Sequence, residues 1–152
     1  MVRHPVAVAE SIEQRCLEGD WFVRSPAYWK AQAAAAIHAG IPADLVASCE
    51  TYMEKALLQW RLHMETCRHD TALLGCERVL DVRYEDFVSS PRDDLARILD
   101  FAQLHTAPEL DTFCLERIKP RRMKTRRTLG QRERTIAGPL LDEFLEGADG
   151  IT

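Results

Sequence analysis

Glycine is scarce and scattered in this sequence. Seven glycines, Gly19, Gly40, Gly75, Gly130, Gly138, Gly147 and Gly150, are spread over 152 residues with no two adjacent. No glycine-rich loop is available to close consecutive backbone N–H groups around a phosphate. Long apolar runs are missing as well. The most apolar tract, AAAAIHAGI, falls far short of the ~20 residues that a membrane-spanning helix needs, so no membrane passage is expected. The five cysteines, Cys16, Cys49, Cys67, Cys76 and Cys114, are odd in number and show no C-x-x-C spacing. That favours reduced thiols in a cytosolic setting over a disulfide framework. No secretory leader is recognised, and the expected setting is cytoplasmic. A surplus of positive charge is also absent: the net charge of −4 argues against wholesale coating of nucleic acid. No period of 20 to 50 residues and no low-complexity stretch appears, which excludes solenoids and long linkers.

What is present is ordinary for a soluble globular protein, with 46% hydrophobic and 29% charged residues. A chain of this length is expected to form one domain and to bury about 70% of the surface its unfolded form exposes. Most of it reads as helix. Val2, Arg3, His4 and Pro5 read as the end of a strand and a tight turn, with Pro5 the first residue of a helix whose apolar positions continue to Leu17. Ser25 and Pro26 supply an N-cap and a first helical residue for an Ala-rich helix reaching about Gly40. Pro42 opens the next helix. From there Leu45, Cys49, Tyr52, Met53, Ala56, Leu57, Trp60, Met64 and Cys67 recur in steps of three and four, predicting an apolar stripe about seven turns long.

The stretch RVLDVRYEDFVSSPRDDLARILDFAQL predicts a short strand in which Leu80, Val82 and Tyr84 alternate with Asp81 and Arg83. The strand is expected to end at Glu85 and Asp86. Ser90, Pro91 and Asp93 then mark a capped helix with Leu95, Ile98, Leu99 and Ala102 on one face. Near the C-terminus Pro139 interrupts any helix begun at Arg132 and leaves Leu140, Leu141, Phe144 and Leu145 as a short amphipathic helix. His63, Cys67, His69 and Cys76 could be written as a zinc set, but their spacing matches no familiar structural motif and Cys67 reads as part of the apolar stripe. No metal is expected.

Two of these segments carry a resemblance. VRHPVAVAES is similar to the strand-to-helix segment of sulfotransferases that use 3′-phosphoadenosine 5′-phosphosulfate (PAPS): an Arg, a Pro two residues on, and a Ser eight residues after the Arg. Arg3, Pro5 and Ser11 match that spacing. VLDVRYEDFVSSPRDDLARILDFAQL resembles the same family's later strand and helix, an R-Y-E-D-L box followed by a Pro and an amphipathic helix ending in Phe. The two matches stand in the family's order. The resemblance implies an α/β fold: part of a three-layer, P-loop-kinase-like sulfotransferase domain, mostly helical, with one or two short parallel strands.

The spacing also makes chemical sense without the resemblance. A helix N-terminus favours anions, an Arg at its mouth can grip a phosphate bidentately, and Ser11, seven residues past His4 and so near two helical turns, is expected on the same face. The resemblance implies that Arg3 and Ser11 hold the 3′-phosphate of PAPS and that Tyr84 lies near the adenine. For Tyr84 packing in the core is an equal alternative. The family's loop of the type P-K-[ST]-G-[ST]-[ST] is not found around any of the glycines, and its catalytic base precedes the Arg–Ser segment. The expectation is therefore a single partial domain over residues 1–152 that lacks the N-terminal P-loop-like part, holds no catalytic residue and is inactive alone. A complete enzyme would transfer a sulfuryl group from PAPS to a hydroxyl or amine of a small-molecule or glycan acceptor.

In KPRRMKTRRT, Lys119, Arg121, Arg122, Lys124, Arg126 and Arg127 place six cations in ten residues of an acidic chain. Members of the family carry a late basic lid, R-K-G-x-x-G-D-W, over the 3′-phosphate, and by that likeness Arg121 and Arg122 become cofactor-binding candidates. The glycines and the Trp of the lid are absent here. A solvated basic loop remains an alternative. So does a different function class: a non-catalytic helical module that binds nucleic acid or another anionic partner through 119–127.

Overall fold

The structure, a computed structural model, describes residues 1–19, 25–118 and 127–145. The described residues form nine α-helices: α1 (Pro5–Leu17), α2 (Pro26–His38), α3 (Ala43–Ala47), α4 (Tyr52–Ala72), α5 (Tyr84–Ser89), α6 (Pro91–Phe101), α7 (Pro108–Arg117), α8 (Gln131–Ala137) and α9 (Leu140–Leu145), with a 3-10 turn at Cys76–Arg78. They divide between two compact units. One takes in Met1–Arg3 and the chain from Leu74 through α7. The other takes in His4–Leu73 together with α8 and α9.

The mostly helical expectation holds, but the layered sheet does not appear among the described residues. Extended backbone pairs at one point, a parallel bridge between Val2 and Arg83. The strand expected over Leu80–Tyr84 is cut short because Tyr84 is already the first residue of α5, with Glu85 and Asp86 in its first turn where the helix dipole favours acids. Pro5 likewise opens α1 soon after Val2. Both chains turn into helix directly beyond the bridge, which closes the ladder on that side.

In the larger unit, α1 buries Pro5, Val6, Ala9, Ile12 and Cys16, the i, i+3, i+4 stripe of an amphipathic helix. Ser25 caps α2 by accepting from the Tyr28 N–H at 3.4 Å. Helix α2 stops where Gly40 adopts φ +93°, a conformation that costs glycine little, and the Ile41 N–H returns to the Ala36 carbonyl. Helices α1, α2, α8 and α9 all pack on α4, and Met53, Ala56, Leu57 and Leu58 are sealed at the centre.

The seven-turn stripe is broken in two. Thr51 and Glu54 form a capping box: the Thr51 hydroxyl accepts from the Glu54 N–H at 3.1 Å, and the Glu54 carboxylate accepts from the N–H groups of Thr51 and Glu50, each at 2.9 Å. Those two N–H groups would be spent inside the helix if α3 ran on into α4. The signal T-x-x-E was legible, but it was masked by the continuous three- and four-residue spacing on either side of it. The stripe also ends earlier than its pattern suggests, since Cys67 is exposed. Helix α7 carried no signal strong enough to be expected. Pro91 opens α6 as predicted, although Ser90 makes no side-chain cap, and of the expected apolar face Leu95, Ile98 and Leu99 are half-buried while Ala102 is exposed. At the C-terminus the predicted break occurs at Gly138, φ +76°, where a Cβ would stand 2.7 Å from Arg61 Nε.

Burial raises the pKa of the Glu54 carboxyl, but the donors at Thr51, Arg132 and Glu50 outweigh it and hold the value at about 2, below the ordinary 4.5. A carboxylate depressed in the folded state contributes stability that is complete above the unfolded value and is lost as pH falls from 4.5 towards 2; the shift corresponds to about 3 kcal/mol at most. Glu54→Gln should therefore lower stability at pH 7 by about 1–3 kcal/mol and flatten the acid limb in that window. Urea unfolding at a series of pH values reads both effects, and an unchanged acid limb would show that the carboxylate does not carry this term. A second expectation concerns thiols. Burial, then the Glu54 charge, pushes Cys49 up to about 11 against the smaller opposing pull of Arg132 and Lys55, so it stays a buried thiol, whereas Cys67 is exposed. Iodoacetamide followed by peptide mass spectrometry should label Cys67 in the native protein, and Cys49 only after unfolding.

Candidate functional site

The candidate site in the smaller unit starts from backbone. The Val2 N–H donates to the Val82 carbonyl at 2.8 Å, and the Tyr84 N–H donates to the Val2 carbonyl at 2.7 Å. These bonds straddle the Val2–Arg83 bridge, with Val82 buried beneath. In a parallel pair the residues that follow two bridged residues are themselves neighbours, so the register brings Arg3 beside Tyr84. The side chains meet: the Arg3 guanidinium carbon lies 4.9 Å from the centre of the Tyr84 ring, a cation–π contact between two half-buried residues. Sequence reasoning missed this contact. Its signal was the two short extended segments, one ending before Pro5 and the other before α5, that needed only to be paired.

The segment behind Tyr84 is built locally. Arg83 is the N-cap of α5 in extended conformation, and α5 packs on α6, which packs on α7. Val88 and Cys114 are buried, the Cys114 thiol approaching the Pro91 carbonyl at 3.9 Å where α6 begins. Asp94 is buried as well and pairs with Arg97 one turn on. These contacts hold the start of α5, and with it the Tyr84 backbone.

Ser11 belongs to the other unit. It is exposed on α1, one residue before buried Ile12. His4, from which the two-turn spacing was counted, is extended at φ −51° and ψ 127° and only 8% exposed, so its side chain is inside while that of Ser11 is in solvent. The structure thus brings Arg3 and Tyr84 together within the smaller unit, while Ser11 is part of the larger one. The burial of His4 was not foreseen either. A histidine between an Arg and a Pro gives no periodic signal, because it precedes the first helical turn.

Arg121 and Arg122 lie outside the described residues. Arg127, at the end of the basic stretch, is described: it pairs with Glu133 in the first turn of α8 and reaches Glu13 of α1 at 3.6 Å. That cation is matched by carboxylates of its own chain. Among the described residues no group of three His, Cys, Asp or Glu side chains is arranged to hold a metal ion, and no helix is long and apolar enough to cross a membrane.

In comparison with known proteins, the family model described as the Sulfotransferase family matches residues 1–108, a span that includes Arg3, Ser11 and Tyr84. No curated protein and no solved structure gives a match to the chain.

Proposed function

The chain belongs to the sulfotransferase family, and from that premise we propose that it supplies the 3′-phosphate side of a PAPS site, with Arg3 as the phosphate ligand. The observation that carries the reading is the single span of family likeness over both Arg3–Ser11 and the Arg83–Asp86 box, joined to the meeting of Arg3 and Tyr84 at one bridge. An arginine already ordered by a backbone pair and an aromatic face loses less rotamer freedom when it grips an anion, and its planar fork suits two phosphate oxygens. The donor set fits the group for that reason.

PAPS, when bound, supplies the sulfuryl group that passes to the acceptor. The residues of this chain would bind and orient the far end of that nucleotide. Ser11, an exposed hydroxyl on α1, is proposed by the same resemblance as a second phosphate ligand, and Arg121 and Arg122 as further cations for the nucleotide. Tyr84 belongs to the cofactor side through its contact with Arg3. The acceptor is proposed to be a hydroxyl or amine on a small molecule or glycan, and the setting cytoplasmic, in a partial P-loop-like domain. No stretch of the sequence matches the P-K-[ST]-G-[ST]-[ST] cradle, and no residue of the chain is assigned to the 5′ end of the nucleotide or to proton transfer at the acceptor.

Two measurements test the reading. The 152-residue chain should show no sulfuryl transfer from PAPS to a broad panel of alcohols and amines, and a robust rate would mean that the catalytic groups are present and were misplaced. By NMR titration, the same chain should bind 3′,5′-ADP more tightly than 5′-AMP. Arg3→Ala should weaken 3′,5′-ADP by roughly ten- to a hundred-fold while changing 5′-AMP little, as loss of a charge-assisted contact predicts. Equal loss for both nucleotides, with the fold intact, would make Arg3 structural.

A further inference from the structure

Resting on that reading of the site, we infer that Tyr84 is a positioning residue: its ring holds the Arg3 guanidinium in the orientation that meets the 3′-phosphate. The first observation is the register. Val2 is bonded on both its N–H and its carbonyl side to the Val82–Tyr84 backbone, so the Cα atoms of Arg3 and Tyr84 are fixed relative to each other by main-chain bonds that precede both side chains. The second is the stack. With the guanidinium carbon 4.9 Å from the ring centre, the cation lies over one π face of the ring, and that face is taken by Arg3. The third is the position of Tyr84 at the first residue of α5, its own N–H bonded to the Val2 carbonyl. The ring therefore leaves a backbone that is held on one side by the bridge and on the other by a helix.

Arginine brings a long, rotamer-rich stem to any site, and a cation over an aromatic face loses much of that freedom before a ligand arrives. Both residues are half-buried, which keeps the contact from being screened as it would be in open solvent. What the ring supplies is a planar face. The hydroxyl plays no part in the stack, and phenylalanine should serve as well.

The test uses the whole 152-residue chain, 3′,5′-ADP and 5′-AMP as probes, and NMR both for titration and for the shift of the Arg3 side-chain protons. In the native protein those protons should resonate upfield, under the ring current of Tyr84. Tyr84→Phe should keep the upfield shift and bind 3′,5′-ADP within about two-fold of the native chain. Tyr84→Leu should lose the shift and bind 3′,5′-ADP about 3- to 30-fold more weakly, with 5′-AMP unchanged. In the Arg3→Ala background Tyr84→Leu should add no further loss, because the two residues act as one unit. Tyr84→Met, which fills similar space without a π face, is the second variant should the leucine chain not fold, and it should behave as Tyr84→Leu does. Equal weakening of both nucleotides by Tyr84→Leu would overturn the inference in favour of a direct adenine contact. A loss as large in Tyr84→Phe, or additive losses in the double variant, would overturn it too. A native chain that does not prefer 3′,5′-ADP over 5′-AMP would overturn the proposed function and with it this role for the ring, while a persisting upfield shift would still report the stack itself.

Discussion

One buried carboxylate fixes the larger unit. Glu54 is 6% exposed and accepts from the backbone of Glu50 and Thr51 and from Arg132 of α8. Arg132 in turn donates to the Ser48 carbonyl at the end of α3. Where α4 begins, where α3 stops and where α8 docks are thus settled by a single side chain. Each of its bonds is charge-assisted, and removal of either partner would leave polar groups without the bonds for which they were taken out of water. Around it on α4 Met53, Ala56, Leu57 and Leu58 are all at most 1% exposed, and Ile136 and Ala137 of α8 reach 0%. The apolar packing supplies the bulk of the stabilisation, but it could be satisfied in several registers. The Glu54 cluster selects one.

The smaller unit has no comparable centre. Its buried apolar side chains among the described residues are Val82, Val88 and Cys114, and Phe101, Leu104 and Phe113 are exposed. Its order depends more on backbone: two bonds at the Val2–Arg83 bridge and three successive helices that pack in chain order. Segments of that kind open more readily than a sealed core, and ligand sites are commonly drawn from them. The pairing of Arg3 with Tyr84 is in this light a local device, a cation and a ring that order each other where there is little interior to order them.

Much of the fold was legible because its punctuation is chemical. Pro5, Pro26 and Pro91 each open a helix, Ser25 caps one, and Gly40 and Gly138 end others at positive φ. What misled was pattern without punctuation. The spacing from Leu45 to Cys67 read as one helix because periodicity carries no information on which N–H groups a nearby side chain has claimed, and Thr51 with Glu54 had claimed two. The alternation from Leu80 to Tyr84 read as a strand because it has period two, but a strand is defined by its partner, and helix follows at once on both sides of the bridge. The site was legible in part. Arg3 and Tyr84 were each picked out by likeness to a family, yet their contact is a matter of parallel register, and that cannot be read from either segment alone. Exposure separates Ser11 from His4 for a similar reason: a count of residues predicts a shared face only once both belong to the helix.

A phosphate grip of the kind proposed for Arg3 would bear on what binding can accomplish. The 3′-phosphate of PAPS lies away from the reacting sulfur and carries the same charge before, during and after transfer. Contacts to it are therefore equally strong in ground and transition states, and interactions of that sort raise affinity and selectivity without themselves lowering the chemical barrier. They become useful to the rate only where other groups convert the binding energy into alignment of donor and acceptor. An Arg3 held by a ring is suited to the first task, because pre-ordering sharpens discrimination between nucleotides that differ by one phosphate. The contact lies between residues of one unit and is present without a ligand, so on the proposed reading selection for the phosphate would be built into the fold before the nucleotide arrives.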